Sequence, residues 1–177
     1  MDNVRGIGTP AFVLFALMLF GAASLVWAER VLPERVASHF GADGKPDGWM
    51  SRERSVQAMG IIGFVMPLGL VGIGLSMRVM PSDLINVPRR DYWLSPEHRG
   101  ETDVYLARQF TWMACLVMAL FIAINWLTIE ANRQAPPRLS NAVWALLVVF
   151  LASVTLWIAR LVWHFSRPPS TEAPRRR

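Results

Sequence analysis

The chain is poor in charge, and the charge it has is unevenly placed. Only 18% of its 177 residues are Asp, Glu, Lys or Arg, against about 25% in a soluble domain. Four stretches hold none: Gly6–Ala28 and Ser55–Met77 with 23 residues each, and Gln109–Ile129 and Leu139–Ala159 with 21 each. Cysteine is nearly absent. Cys115 stands alone, which excludes a disulfide framework and a cysteine metal site, and inside an apolar run it reads as a small packing residue. Lysine is as scarce, with Lys45 alone beside seventeen arginines. Those arginines flank the apolar runs, so the net charge of +5 encodes membrane orientation rather than a nucleic-acid surface.

What fills the gap is apolar: 53% hydrophobic residues, with eight Trp and nine Phe. A hydrocarbon core of about 30 Å crossed at about 1.5 Å per residue needs roughly 20 residues. Each uncharged run meets that length, and none allows two passes. Backbone groups in lipid must bond within their own segment, so each run is expected to be a helix. The expected fold is an all-α integral membrane protein, a bundle of four transmembrane helices over about residues 8–28, 55–77, 109–129 and 140–164. Residues 1–165 form one domain without internal repeats. Residues 166–177, rich in Pro and Arg, read as a disordered cytoplasmic tail. The first run carries Val26-Trp27-Ala28, which resembles a cleavage site, but it is longer than a signal-peptide core and is read as a retained helix.

With four spans, the N-terminus, the second loop and the tail share one side. That side holds eleven basic residues and the other seven, so the positive-inside bias puts both termini in the cytoplasm. Trp27, Trp126 and Trp144 fall at the outer helix ends and Trp112 and Trp163 at the inner ends, as an aromatic belt should. Trp157 lies deeper and reads as a packing residue. No span carries a charge at its centre, which argues against a proton relay or an ion-coupled transporter. The second run is broken by Gly60, Gly63, Gly69, Gly72, Gly74 and Pro67. It admits two readings, close helix packing or a hinge lining a substrate path. Asn125 is expected to bond a neighbouring helix.

The outer loop, Glu29–Arg54, is the most informative segment. Asp43-Gly44 and Asp47-Gly48 are turn dipeptides with Pro46 between them. Val36–Phe40 and Trp49–Met50 are therefore expected to pair as a short β-hairpin, seated on the helix ends through Phe40 and Trp49. Candidate binding residues here are His39, Phe40, Asp43, Asp47, Trp49 and Arg52. His39, Asp43 and Asp47 have the chemistry of a cation or proton site. The plainer reading is that the aspartates cap turns while His39 bonds a carbonyl, and that Arg52 and Arg54 anchor the interface. In the inner loop, Ser95-Pro96-Glu97 starts a helix, which Gly100 is expected to interrupt before it resumes near Thr102. Asn86, Tyr92 and Trp93, beside Arg89 and Arg90, suggest a segment lying on the inner membrane surface or docking a partner.

The pattern Leu32-Pro33, His39-Phe40, Gly44, Asp47 and Trp49, directly after a first span, resembles a short bacterial membrane domain of unknown function found in SdpI-type immunity and signalling proteins. Asn86-Val87-Pro88, Tyr92-Trp93-Leu94 and Pro96-Glu97 resemble the loop that follows in many members. Gly41 departs from the asparagine usual after His-Phe. The resemblance implies a bacterial cytoplasmic membrane and offers no precedent for an enzyme. The leading reading is a binding or accessory protein that uses its outer loop to recognise a peptide or another membrane subunit, with no cofactor and no catalytic residue. A small transporter or channel component is the alternative. A metal-dependent enzyme built on His39, Asp43 and Asp47 is the third.

Overall fold

The computed structural model describes residues 5–167; the predicted tail lies, from Pro168 onward, outside the described residues. Helix α1 spans Arg5–Val31 and leads into a hairpin of strands β1 (Arg35–Phe40) and β2 (Pro46–Ser51). Helix α2 follows at Arg52–Ser76, then a 3-10 turn at Ser82–Leu84 and the short α3 at Arg90–Trp93. Helices α4 (Arg99–Asn132) and α5 (Ala142–Ser166) complete the chain. α1, α2, α4 and α5 are each long and apolar enough to cross a membrane.

The helices overrun the uncharged runs, and at α2 a polar cap sets the start. Ser51 accepts the Arg54 N–H at 3.4 Å and Glu53 occupies the first turn of α2, so the helix starts at Arg52 and takes in the three charged residues ahead of the run. α4 has 34 residues and a length of about 50 Å, far more than a bilayer core needs, and its first ten residues extend beyond the uncharged run. The expected break at Gly100 does not occur. Ser95–His98 form a turn whose carbonyls accept the Arg99 and Thr102 N–H groups, so the chain winds straight into α4 with Gly100 as an ordinary helical residue.

α1, α2 and α4 share a core. Leu14, Ala114, Cys115 and Met118 are buried together against Val13, Phe64, Leu70 and Val71. Cys115 Sγ donates to the Pro10 carbonyl at 3.4 Å, and Asn125 Nδ2 reaches Ser24 Oγ on α1 at 3.2 Å. The glycines of α2 serve close approach: a Cβ on Gly74 would stand 2.8 Å from Phe110 Cβ and 3.2 Å from Ala107 Cα. Pro67 is fully buried within a continuous helix. The void among Gly21, Gly63, Met118 and Asn125 is about 10 Å³, room for no more than about one water. α5 lies outside this core. Of its described residues only Phe165 is buried, and α5 meets the rest of the protein chiefly at its C-terminal end.

The two ends of the molecule differ. At one, the hairpin sits over the helix ends and touches the α4–α5 connection. At the other, residues 77–98 pack against the start of α4 and the end of α5.

Candidate functional site

The hairpin pairs Arg35 with Ser51, Val36 with Met50 and Ala37 with Trp49, then shifts register so that His39 faces Gly48 and Phe40 faces Pro46. Two successive shifts leave first Ser38 on β1 and then Asp47 on β2 as extra residues, which turns successive side chains to new directions. Below the strands, Val36 is fully buried in a cluster with Ala28, Leu32 and Ile129. Phe40 and Trp49 are not the anchors. Phe40 is half-buried and Trp49 is 42% exposed. Val36 carries the seat, because it points into the helix-end cluster. Ala37 and its cross-strand partner Trp49 lie on the other face, with Ala37 buried and held through its backbone by Asn132.

Two polar contacts fix the hairpin to the helices. Asn132, at the end of α4, accepts the Ala37 N–H on Oδ1 at 2.8 Å. Its Nδ2 donates to the Ala37 carbonyl at 2.9 Å and to the Thr128 carbonyl at 2.9 Å. One side-chain amide thus satisfies both backbone groups of a fully buried residue, as a neighbouring strand would. At the tip, Gly44 takes φ +77° and its carbonyl accepts the Leu139 N–H at 2.9 Å. A Cβ there would lie 2.7 Å from the Leu139 carbonyl oxygen, so the turn needs glycine for both its backbone angle and its close approach.

The exposed surface of the hairpin carries four pairings. Arg35 lies over the Trp49 ring, 5.1 Å from its centroid. His39 Nδ1 and Asp47 Oδ1 are 2.5 Å apart, with side chains 76% and 54% exposed. Asp43 does not join them. It accepts the Lys45 N–H at 3.1 Å and pairs with the Lys45 ammonium at 3.2 Å. The Lys45 N–H first, and the ammonium second, hold the Asp43 carboxyl below its ordinary value. Among the described residues no group of three His, Cys, Asp or Glu gathers closely enough to hold a metal ion. Arg52 points to the root of the loop, donating to the Leu32 carbonyl at 3.0 Å with Glu29 at 3.6 Å; it ties the two ends of the hairpin together.

At the opposite end, Asn86 is exposed, but Trp93 and Leu94 are buried. The expectation that Tyr92-Trp93-Leu94 lies on the membrane surface is corrected: this segment faces the protein. Trp93 Nε1 donates to the Phe165 carbonyl at 2.8 Å, and Thr102 Oγ1 donates to the Trp93 carbonyl at 2.8 Å. Tyr92 stacks on His98 with centroids 4.1 Å apart. Arg89 Nε reaches the Ser166 carbonyl at 3.0 Å.

Arg99, which the sequence pattern did not single out, holds this end together. Its Nε pairs with Asp103 at 2.9 Å and its Nη1 donates to Ser82 Oγ at 2.8 Å. Its Nη2 donates to the carbonyls of Met77 at 2.5 Å and Met80 at 2.8 Å. One guanidinium supplies the donors that the carbonyls past the end of α2 would otherwise lack.

Four apolar helices with a two-stranded hairpin between the first pair mark a multi-pass membrane protein. The family model for a domain of unknown function (DUF1648) matches residues 12–64, which run from α1 through the hairpin into α2 and leave α4 and α5 outside the match. No curated protein and no solved structure matches the chain.

Proposed function

We propose that the chain is a binding or accessory protein of a bacterial cytoplasmic membrane, with both termini in the cytoplasm and the hairpin presented outside to a peptide or another membrane subunit. The observation that carries this reading is the contrast between the held and the exposed parts of the hairpin. The underside is held by Val36, the β1 backbone by Asn132 and the tip by the Gly44–Leu139 contact, while Arg35, Trp49, His39 and Asp47 stay exposed on this fixed framework. Aromatic and Arg side chains with little freedom left to lose are the usual anchors of recognition. The likeness of Leu32-Pro33, His39-Phe40 and Asp47-Gly48-Trp49 to SdpI-type proteins favours an immunity, signalling or subunit role over catalysis. Packing in the α1–α2–α4 core weighs against a substrate path along Pro67.

The full chain, affinity-purified from native membranes in mild detergent, should bring down a specific envelope or membrane protein. A Trp49→Ala, His39→Ala double variant, altered only on the exposed face, should lose that partner while keeping the wild-type melting temperature. Recovery of the same proteins by both forms, or of the chain alone, counts against recognition by this face.

Orientation is tested separately. With Cys115 replaced by serine, a cysteine at Ala42 should react with a membrane-impermeant maleimide added to intact cells. Labelling only after the cells are lysed would reverse the proposed direction.

A further inference from the structure

The seam between α4 and α5 carries a second site, distant from the hairpin. α5 is held to α4 chiefly at its C-terminal end, and on one flank of the pair a cavity of about 460 Å³ opens between them. It is lined by Tyr105, Arg108, Gln109, Trp112, Trp157 and Arg160. Arg108 is the last charge before the uncharged run of α4, and Arg160 is the first charge after that of α5. The two guanidinium groups therefore stand at the same border of the apolar zone. The lining contains no carboxylate, and among the described residues neither arginine takes part in an ion pair.

Farther along α4, where α1 also joins the wall, a second cavity of about 460 Å³ is almost wholly apolar, lined by Leu17 and Phe20 of α1, Ala119, Ala123 and Trp126 of α4 and Leu146 of α5. On α4, Tyr105, Gln109, Trp112, Ala119, Ala123 and Trp126 recur at three-, four- and seven-residue steps, which places them on one face. The seam is thus cationic at the border of the apolar zone and greasy within it. A free anion uses only the first part; an amphiphile uses both.

We propose that the α4–α5 seam binds an anionic phospholipid, its phosphate between Arg108 and Arg160 and an acyl chain in the slot beside Ala119 and Ala123. Basic pockets between transmembrane helices at the membrane border suit such headgroups, and Arg is suited to phosphate because its fork of donors matches the oxygens. The ligand would also fill the gap that keeps α5 from the core.

The test is native mass spectrometry of the full chain in mild detergent, with phosphatidylglycerol and phosphatidylcholine added at equal concentration. The wild type should retain phosphatidylglycerol preferentially. An Arg108→Gln, Arg160→Gln double variant should reduce that preference about tenfold or more, while Arg54→Gln, altered at the hairpin end, should leave it intact. Ala123→Phe, which fills the slot, should lower phosphatidylglycerol retention with both arginines present. Equal retention of the two lipids by the wild type, or an unchanged preference in the double variant, overturns the site. Displacement of the lipid by millimolar inorganic phosphate would assign the arginines to a soluble anion instead, and unchanged retention in Ala123→Phe would overturn the placement of the chain.

Discussion

Replacement of Arg99 by methionine is expected to lower the unfolding free energy by about 3–5 kcal/mol, the cost of leaving one partner of a buried ion pair alone. The Arg99 and Asp103 side chains are 19% and 10% exposed, so solvent screens their interaction only weakly. The loss is not confined to that pair. Without the guanidinium, the carbonyls of Met77 and Met80 and the hydroxyl of Ser82 lose the donors that reach them, and the connection from α2 no longer closes on α4. Arg99→Lys should fall between wild type and Arg99→Met, because one ammonium cannot meet four acceptors spread around a planar fork. Adding Asp103→Leu to Arg99→Met should recover part of the loss, since removing both partners costs less than stranding one. Unfolding in mild detergent, followed by circular dichroism with the double-mutant cycle completed, measures these terms. An Arg99→Met variant within about 0.5 kcal/mol of wild type, the range of ordinary surface substitutions, would show that this end is held by its apolar contacts alone.

The two ends of the protein were not equally legible in its sequence. The four helices follow from the four uncharged runs, because hydrocarbon tolerates neither charge nor unpaired backbone, and both constraints show in composition. The hairpin follows from Asp43-Gly44, Pro46 and Asp47-Gly48, whose turn preferences are local. What a local pattern cannot reveal is which atoms of distant segments meet. Trp49 looked like an anchor because it is large and apolar, yet the strand pleat puts it on the face opposite Val36, which takes the seat, while Ala37 is held through its backbone. Trp93, flanked by arginines, looked like a surface residue, but the end of α5 returns to it, 72 residues later, with a carbonyl for its indole N–H. Arg99 and Asp103 did leave a signal, the four-residue spacing of an ion pair on one helical face. Their burial depended on the turn after α2, which no spacing within α4 encodes. The gap at α5 is of the same kind: four apolar runs imply a bundle, while only the packed structure shows three helices sharing a core and the fourth touching chiefly at its end.

Asn132→Leu is expected to free the hairpin from the helices while leaving the membrane-spanning part folded. Asn132 is 8% exposed and Ala37 is fully buried, so leucine would leave the Ala37 N–H and C=O without partners in a place that water reaches poorly. Each stranded group costs about 1–3 kcal/mol, and the pair should exceed what the short hairpin retains from Val36 and its neighbours, since a two-stranded hairpin is marginal by itself. The result should be local undocking rather than global unfolding. Amide exchange at residues 36–40 and 46–50 should rise by orders of magnitude while exchange in α2 and α4 stays slow, and proteolysis should become rapid between Gly41 and Lys45. Asn132→Asp is the sharper control. It keeps an acceptor for the Ala37 N–H but sets a second acceptor against the Ala37 carbonyl, so it should undock the hairpin despite being nearly isosteric. If Asn132→Leu protects the Ala37 amide as well as the wild type does, the apolar seat beneath Val36 is sufficient by itself. The same variants bear on recognition: a partner that needs the fixed arrangement of Arg35, Trp49, His39 and Asp47 should be lost from Asn132→Leu although all four residues remain.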